Sequence, residues 1–448
     1  MKSSDGSNRG MRILWAWVPA ALMLAAMAWM AEPAESGNWP NFRGPNFDGS
    51  TEAANLPARW TTTDGVLWSV ELPGVGAGTP AVWGDRIFLN AADAETGDLF
   101  ALCLNAADGS ERWRRTHGKN QRRGRNDMTA PSPVTDGNVV VFLFGTGELI
   151  GYDFDGEQLW ARNLLEEYRA LSWLFGYGAS PLLHQGRLYV QMMRRPTHRG
   201  IPEDEPLESF LLALNPETGE DLWKHERDAE ARAESWESYI TPVPHHGPEA
   251  EPQIVLAGAD AITGHDAATG RELWRRNFNE RRRPNWRLVP TPASDGERIY
   301  MPLPRGGTMA AVRPGDDVTP LDENTAWRLT RNAPDVCSPL LYNGRLYVVD
   351  GDRHVVTCLN PETGEQVWRG QLNDAAVIRS SPTAGDGKIY FIDERGKVFV
   401  LAAGDEFNVL AEIDMGGGQP ARSSIVIAGG RLYVRTADTL YCIGPDAE

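Results

Sequence analysis

The side chains of this chain that could do chemistry are few, and their spacing points to binding more than to catalysis. Four cysteines, Cys103, Cys337, Cys358 and Cys442, have no Cys-x-x-Cys spacing and no histidine cluster beside them, so neither a zinc site nor a redox pair is indicated. A disulfide needs Cα atoms within about 7 Å, and two or more of these dispersed cysteines are expected to be free and buried in strands, a bridge being the alternative. The histidines are scattered. The closest pair, His245-His246, falls in a Pro- and Glu-rich turn and is expected to be solvated. Gly-x-Ser-x-Gly, His-Glu-x-x-His and phosphate-loop patterns do not occur. What recurs is aromatic. Phe175, Trp236 and Trp286 each stand five residues before a Ser/Thr-Pro dipeptide, and Trp173 and Tyr177 flank the first of them. Arg122, Arg123 and Arg125 lie in one long connection, and Arg281, Arg282, Arg283 and Arg287 in another. An aromatic floor with cationic walls is the composition of a binding hot spot. The plainer reading is that these aromatics pack internally and the arginines are a solvated face.

Composition bounds the partners. The 448 residues carry a formal charge of −17 and a pI near 5.0, which opposes association with nucleic acid or an anionic bilayer. The first 34 residues read as a secretion signal or membrane anchor: Lys2, Arg9 and Arg12 precede an apolar run over residues 13–31, and an acidic exit follows. Cleavage after Ala28 would satisfy the small-x-small rule, and no cysteine stands there to be acylated. The body is therefore expected to be periplasmic or otherwise extracytoplasmic, to touch a membrane only through that segment, and to be monomeric.

The elements that would position these side chains follow from a repeat. Thr79-Pro80, Ser132-Pro133, Ser180-Pro181, Thr241-Pro242, Thr291-Pro292, Ser338-Pro339 and Ser381-Pro382 recur 42 to 61 residues apart, with Ser423-Ser424 as a degenerate eighth. After each comes a short apolar strand, a Gly turn and a β-branched, aromatic strand such as Gly344-Arg345-Leu346-Tyr347-Val348. A third strand then enters a turn and a tryptophan, as in Leu214-Asn215-Pro216-Glu217-Thr218-Gly219 to Trp223. In that turn Asn or Asp caps through its side chain and Gly supplies the positive φ.

The pattern predicts an all-β fold, an eight-bladed β-propeller of four-stranded antiparallel blades over residues 66–444, preceded by an extension over 35–65. The repeat tryptophans, Trp113, Trp160, Trp223, Trp274, Trp327 and Trp368, are expected to dock blade on blade, with Leu410 in the seventh unit. The eighth unit lacks a fourth strand, while Val66 to Leu72, containing Trp68, has no blade of its own. That strand is predicted to complete the last blade and remove the open edge. The fifth unit has an irregular connection from Gly315 to Thr325.

The Ala-x-Asn/Asp-x-x-Thr-Gly-x-x-x-Trp run resembles the tryptophan-docking motif of the pyrroloquinoline-quinone (PQQ) dehydrogenase-like propellers, across roughly residues 39 to 444. Trp39-Pro40-Asn41-Phe42-Arg43-Gly44-Pro45 is similar to the start of secreted members of that group. The superfamily holds quinone-dependent alcohol dehydrogenases and non-catalytic propellers, including the propeller lipoprotein of the outer-membrane β-barrel assembly machine. The resemblance implies, for an enzyme, PQQ with calcium and adjacent bridged cysteines. No two cysteines here are adjacent.

The reading is therefore a non-catalytic binding or scaffold module for an envelope protein or a polymeric ligand, with no catalytic residue, no metal and no cofactor. A PQQ-dependent dehydrogenase of alcohols or sugars is the alternative. In a propeller the connections from fourth to next first strand share a face with those from second to third strand. The candidate binding face is thus Trp173, Phe175, Tyr177, Trp236, Trp286, Arg125 and Arg287, with the insertion from Arg194 to Glu208 beside it.

Overall fold

A computed structural model describes residues 37–121, 128–169, 176–196, 206–247, 251–315, 317–417 and 420–445. The predicted signal or anchor over residues 1–34, and Arg122, Arg123, Arg125, Trp173 and Phe175, lie outside the described residues. Eight antiparallel sheets follow one another along the chain, each paired in sequence order from its first strand outward. Blade one is Ala81–Trp83, Arg86–Ala92, Asp98–Asn105 and Glu111–Lys119. The first three strands of a blade are sandwiched between neighbouring blades, which is why they read as nearly unbroken apolar runs. In blade seven Val398, Phe399, Val400 and Leu401 in succession are buried. Outermost strands face solvent on one side and alternate, as in Val66–Glu71.

That strand closes the ring. Val66–Glu71 pairs antiparallel with Thr439–Ile443, setting Trp68 opposite Cys442 and Val70 opposite Leu440. Blade eight is therefore built from both ends of the propeller sequence, as the orphan strand predicted.

The docking tryptophans repeat one contact. Trp68 of blade eight lies on Gly109 of blade one, Trp113 on Gly156, Trp160 on Gly219, Trp223 on Gly270 and Trp327 on Gly364. A Cβ on Gly109 would stand 2.7 Å from the Trp68 ring, and one on Gly219 2.5 Å from Trp160. The same glycines hold φ near +75°, so the turn needs glycine twice, for its backbone and for the ring above it. The indole N–H then donates to a turn carbonyl: Trp68 to Ala106 at 3.1 Å, Trp160 to Pro216 at 2.8 Å, Trp327 to Pro361 at 2.8 Å. The side-chain cap is present too, Asn215 Oδ1 accepting from Glu217 and Thr218 N–H.

Trp274 departs from this pattern. It covers Gly264 of its own blade and donates to Gln253 Oε1 at 2.8 Å. Blade five has no Thr-Gly turn to receive it. Its irregular connection instead sends Val318–Pro320 back as a fifth, parallel strand along Glu272–Asn277 of blade four. Arg276, fully buried, reaches Asp317 at 2.9 Å. The blade four to five seam is stitched by backbone where the tryptophan-docked seams use a ring.

A second closure runs around the axis. The Ser/Thr of the dipeptide leads into an innermost strand, and in every blade but the third its backbone N–H donates to the hydroxyl of the next blade's equivalent. The bonds run Thr79 to Ser132, Ser132 to Ser180, Thr241 to Thr291, Thr291 to Ser338, Ser338 to Ser381, Ser381 to Ser424 and Ser424 back to Thr79, all between 2.9 and 3.2 Å. The eighth position is thus Ser424.

The extension crosses one end of the ring. Trp39, fully buried, exchanges two backbone bonds with Val82 of blade one. Thr135 of blade two donates to Pro40 O, and Ala384 of blade seven pairs with Gly49 and Thr51. Arg43, 3% exposed, donates to the carbonyls of Pro339, Pro382 and Asp48 at 2.7 to 3.1 Å. Pro339 and Pro382 each follow the Ser of their dipeptide, so Arg43 covers the end of the axis opposite the aromatic connections.

Candidate functional site

The innermost strands enclose an axial cavity of about 370 Å³. The girdle hydroxyls line its waist, and Phe42 of the extension lines its lower end. Above the girdle, the residue two places before each hydroxyl sets the wall. It is Ala77, Ala130 and Gly178 on blades one to three, Tyr239 on blade four, Val289 and Val336 on blades five and six, and Arg379 and Arg422 on blades seven and eight. One side of the cup is small and apolar and the other is cationic.

Carboxylates hold the arginines. Arg379 meets Asp352 at 2.7 Å and Arg422 meets Glu394 at 2.8 Å. Arg287 lies between Glu234 at 3.4 Å and Asp335 at 3.6 Å, and Arg305 reaches the same two acids, Asp335 through its backbone N–H. This alternating set spans the connections of blades four to six. Glu237, fully buried, is held by Arg195 at 2.7 Å and by the Tyr239 hydroxyl at 2.7 Å.

Beside the mouth, two connections are zipped together. Ser238 and Leu288 form a parallel bridge, Tyr239 N–H donates to Leu288 O at 2.9 Å, and the Ser235 hydroxyl bonds the backbone of Arg283 and Trp286. Trp286 is half-buried with the Arg283 guanidinium 4.5 Å over its ring. Trp236 is half-buried against Met193, Ala231 and Ala259. Arg281, Arg282 and Arg283 are exposed, Arg282 paired with Glu230. Arg287 sits at the cup itself. Tyr177 is 2% exposed, its hydroxyl bonded to Gln191 O at 2.7 Å, so it packs internally and offers a ligand no surface.

His245 corrects the reading of a solvated turn. It ends the strand Val243–His245, is 2% exposed and bonds Ser294 of blade five at 2.7 Å, because pairing with Gln253 continues one residue further than the Pro-rich sequence indicates. His246 is exposed and meets His184 of blade three, Nε2 to Nε2, at 3.1 Å. Burial lowers His184 and His245 to about 4. All four cysteines are free and buried, and burial raises each thiol to about 11 or 12.

One cluster has metal-ligand residue types. His225, His265 and Glu272 bring their ligand atoms within 4.8 Å of one another at the blade three to four seam. Protein groups already satisfy it: His265 bonds Gly270 O and Thr263 Oγ1 at 3.0 Å, and Glu272 holds Arg275 through both oxygens. Two guanidinium groups, Arg275 and the buried Arg227 on Thr263, oppose a dication there.

Asp335, Arg379, Glu394, Arg422, Tyr239 and Phe42 were not singled out by sequence reasoning. For Tyr239, Asp335, Arg379 and Arg422 the signal was present in register, two or three residues before the girdle hydroxyl. Only the ring shows that residues some 50 positions apart form one wall.

A family profile described as outer membrane protein assembly factor BamB matches residues 50–172, 101–315 and 258–408. Among curated proteins, an uncharacterised protein of Rickettsia conorii is 26% identical over 178 residues, which spans 38% of this chain and 39% of that one. BamB from Moraxella catarrhalis superposes with a TM-score of 0.57 at 17% identity, covering 84% of this chain and 97% of that one. A europium-containing methanol dehydrogenase gives 0.66 at 11% identity, covering 91% of each. The quinohemoprotein alcohol dehydrogenase of Comamonas testosteroni gives 0.63 at 12%, covering 93% and 82%. At these identities the structures share the fold alone.

Proposed function

Because the chain belongs to the family described as outer membrane protein assembly factor BamB, we propose that it is a non-catalytic propeller of the cell envelope that holds a protein partner on the face around the channel mouth. A polymeric ligand is the other guest of that face. The export segment and the family together support a periplasmic, outer-membrane-associated place for it.

The observation that carries the reading is the zipped pair of connections. Ser235 and the Ser238–Leu288 bridge fix the two tryptophan-bearing loops to each other, so the exposed Arg281 to Arg283 segment and the Trp286 edge are presented on a rigid support. A preordered aromatic and arginine patch loses little entropy on association.

The dehydrogenase alternative requires a calcium-supported quinone at the axis. The donor set does not fit it: Asp335 and Glu394, the carboxylates lining the cup, each face an arginine, and no two cysteines are adjacent. Incubation with PQQ and Ca²⁺ should give no reduction of an artificial acceptor with a panel of alcohols and sugars. Turnover would replace the proposal with the enzyme reading. In the positive arm, Arg283→Ala with Trp286→Ala should abolish capture of the partner. Capture retained by the double variant would move the interface elsewhere.

A further inference from the structure

We propose that the axial cup binds a carboxylate-terminated guest, either the free end of a peptide chain or an organic acid of similar size, entering from the aromatic-bearing face. This rests on the binding-module reading and gives that face a chemical specificity.

The first property of the cup is its shape. The extension lies across the far end of the axis, anchored by Trp39 on blade one and by Arg43 on the Pro339 and Pro382 carbonyls, with Phe42 as the floor. About 370 Å³ is within the size range of ligand pockets. Among the described residues the pocket is floored at one end, and such a shape admits a chain end and excludes a loop, which would have to turn back on itself inside.

The second is hydrogen-bond polarity. A hydroxyl has two lone pairs and one hydrogen. Seven girdle hydroxyls accept a neighbouring blade's N–H, and among the described residues none of their own hydrogens has an acceptor. Arg379 adds guanidinium donors beside its Asp352 partner, and Arg422, engaged with Glu394, stands on the adjacent blade. The lining thus offers donors in excess and complements a guest rich in acceptors. A carboxylate meets a guanidinium through two parallel bonds.

The third is asymmetry. In a ring of eight, the wall facing Arg379 is Gly178 of blade three, with Ala130 beside it. A terminal residue with its carboxylate on the arginine side would lay its side chain on this small wall. Asp352 and Glu394 hold the two guanidiniums in place and leave the cup without a large net charge. Recognition therefore depends on placed donors more than on long-range attraction.

Calorimetry on the full exported chain with N-acetyl-trialanine as free acid, the same peptide as its amide, and succinate tests this. The acid should bind saturably, the amide at least tenfold more weakly, and Arg379→Gln with Arg422→Gln should cost the acid a similar factor. Ala130→Trp, filling the cup from the wall opposite the arginines, should abolish binding while thermal unfolding shows the ring intact. Succinate binding as well as the acid peptide identifies a free organic acid as the guest, and weaker succinate binding identifies a chain end. Equal affinity for acid and amide, no binding of the acid, or binding that survives Ala130→Trp overturns the proposal. If it is overturned while partner capture still depends on Arg283 and Trp286, the binding-module reading stands alone. Quinone-dependent turnover would remove both.

Discussion

The seam between blade eight and blade one is where a long chain becomes a ring, and a double-mutant cycle on Trp68 and Gly109 measures how that seam is held. Trp68 is half-buried against blade one and donates to Ala106 O at 3.1 Å. A fully buried aromatic cut to alanine costs about 3 to 5 kcal/mol. Half-burial reduces that figure and loss of the hydrogen bond adds about 1 kcal/mol, so Trp68→Ala should cost roughly 3 kcal/mol. With an unfolding entropy of about 2.1 cal/mol/K per residue over about 380 residues, the midpoint should fall by roughly 4 °C. Gly109→Ala has two separable costs. At φ +73° an L residue is disfavoured by about 1 to 2 kcal/mol, and its Cβ would stand 2.7 Å from the Trp68 ring, an overpacking cost of about 1 to 3 kcal/mol. In the double variant the backbone cost remains and the clash is gone. The pair should therefore be less damaging than the sum of the singles by about 2 kcal/mol. Denaturant titration of the four proteins gives the coupling directly, and additivity within about 0.5 kcal/mol would refute tryptophan-on-glycine docking at the closing seam.

Further outcomes follow from the buried groups. The four thiols should be silent to a thiol reagent in the native protein and all react in guanidinium, since burial raises each of them. Any native labelling would contradict their placement. His184 and His245, lowered to about 4, bind fewer protons folded than unfolded between about pH 4 and 6.5. Stability should thus be full above that window and fall as pH drops through it, by up to about 1.4 kcal/mol per pH unit for each ring. Asp260, raised to about 6 by burial, works in the opposite direction and offsets part of the loss. Urea unfolding of His245→Gln should show a flatter profile from pH 7 to 4, and a profile as steep as that of the parent would exclude the residue. Arg43→Lys should destabilise the ring nearly as much as Arg43→Ala, because only the planar fork reaches the Pro339, Pro382 and Asp48 carbonyls together; full recovery with lysine would count against that.

The repeat, its blade number and its closing strand were legible in the chain because each depends on local rules. Asn215 to Gly219 must turn, Trp223 must find an apolar neighbour, and a lone fourth strand at Val66 needs a sheet. The irregular stretch from Gly315 was legible as an exception, although its use as a parallel strand stitching blade four was not. What escaped was whatever depends on ring geometry. The Ser/Thr of the dipeptide looks like turn chemistry until the ring sets Ser424 against Thr79, 345 positions apart. Trp39 to Arg43 looks like a preface until its hydrogen bonds place it under the axis. Tyr177 flanks the aromatic position before Ser180 yet is turned inward, its hydroxyl bonded to Gln191 O. Proximity in sequence cannot separate a side chain that lines a face from one that supports it.

The most direct test of the binding-module account is position-resolved photocrosslinking in the native envelope. A photoreactive residue at Arg281, on the aromatic-bearing face, should capture a discrete envelope protein. The same residue at the exposed Asn46 of the extension, on the opposite side of the ring, should not. Capture from Asn46 with none from Arg281 would contradict the account, and quinone-dependent turnover by the purified protein would replace it.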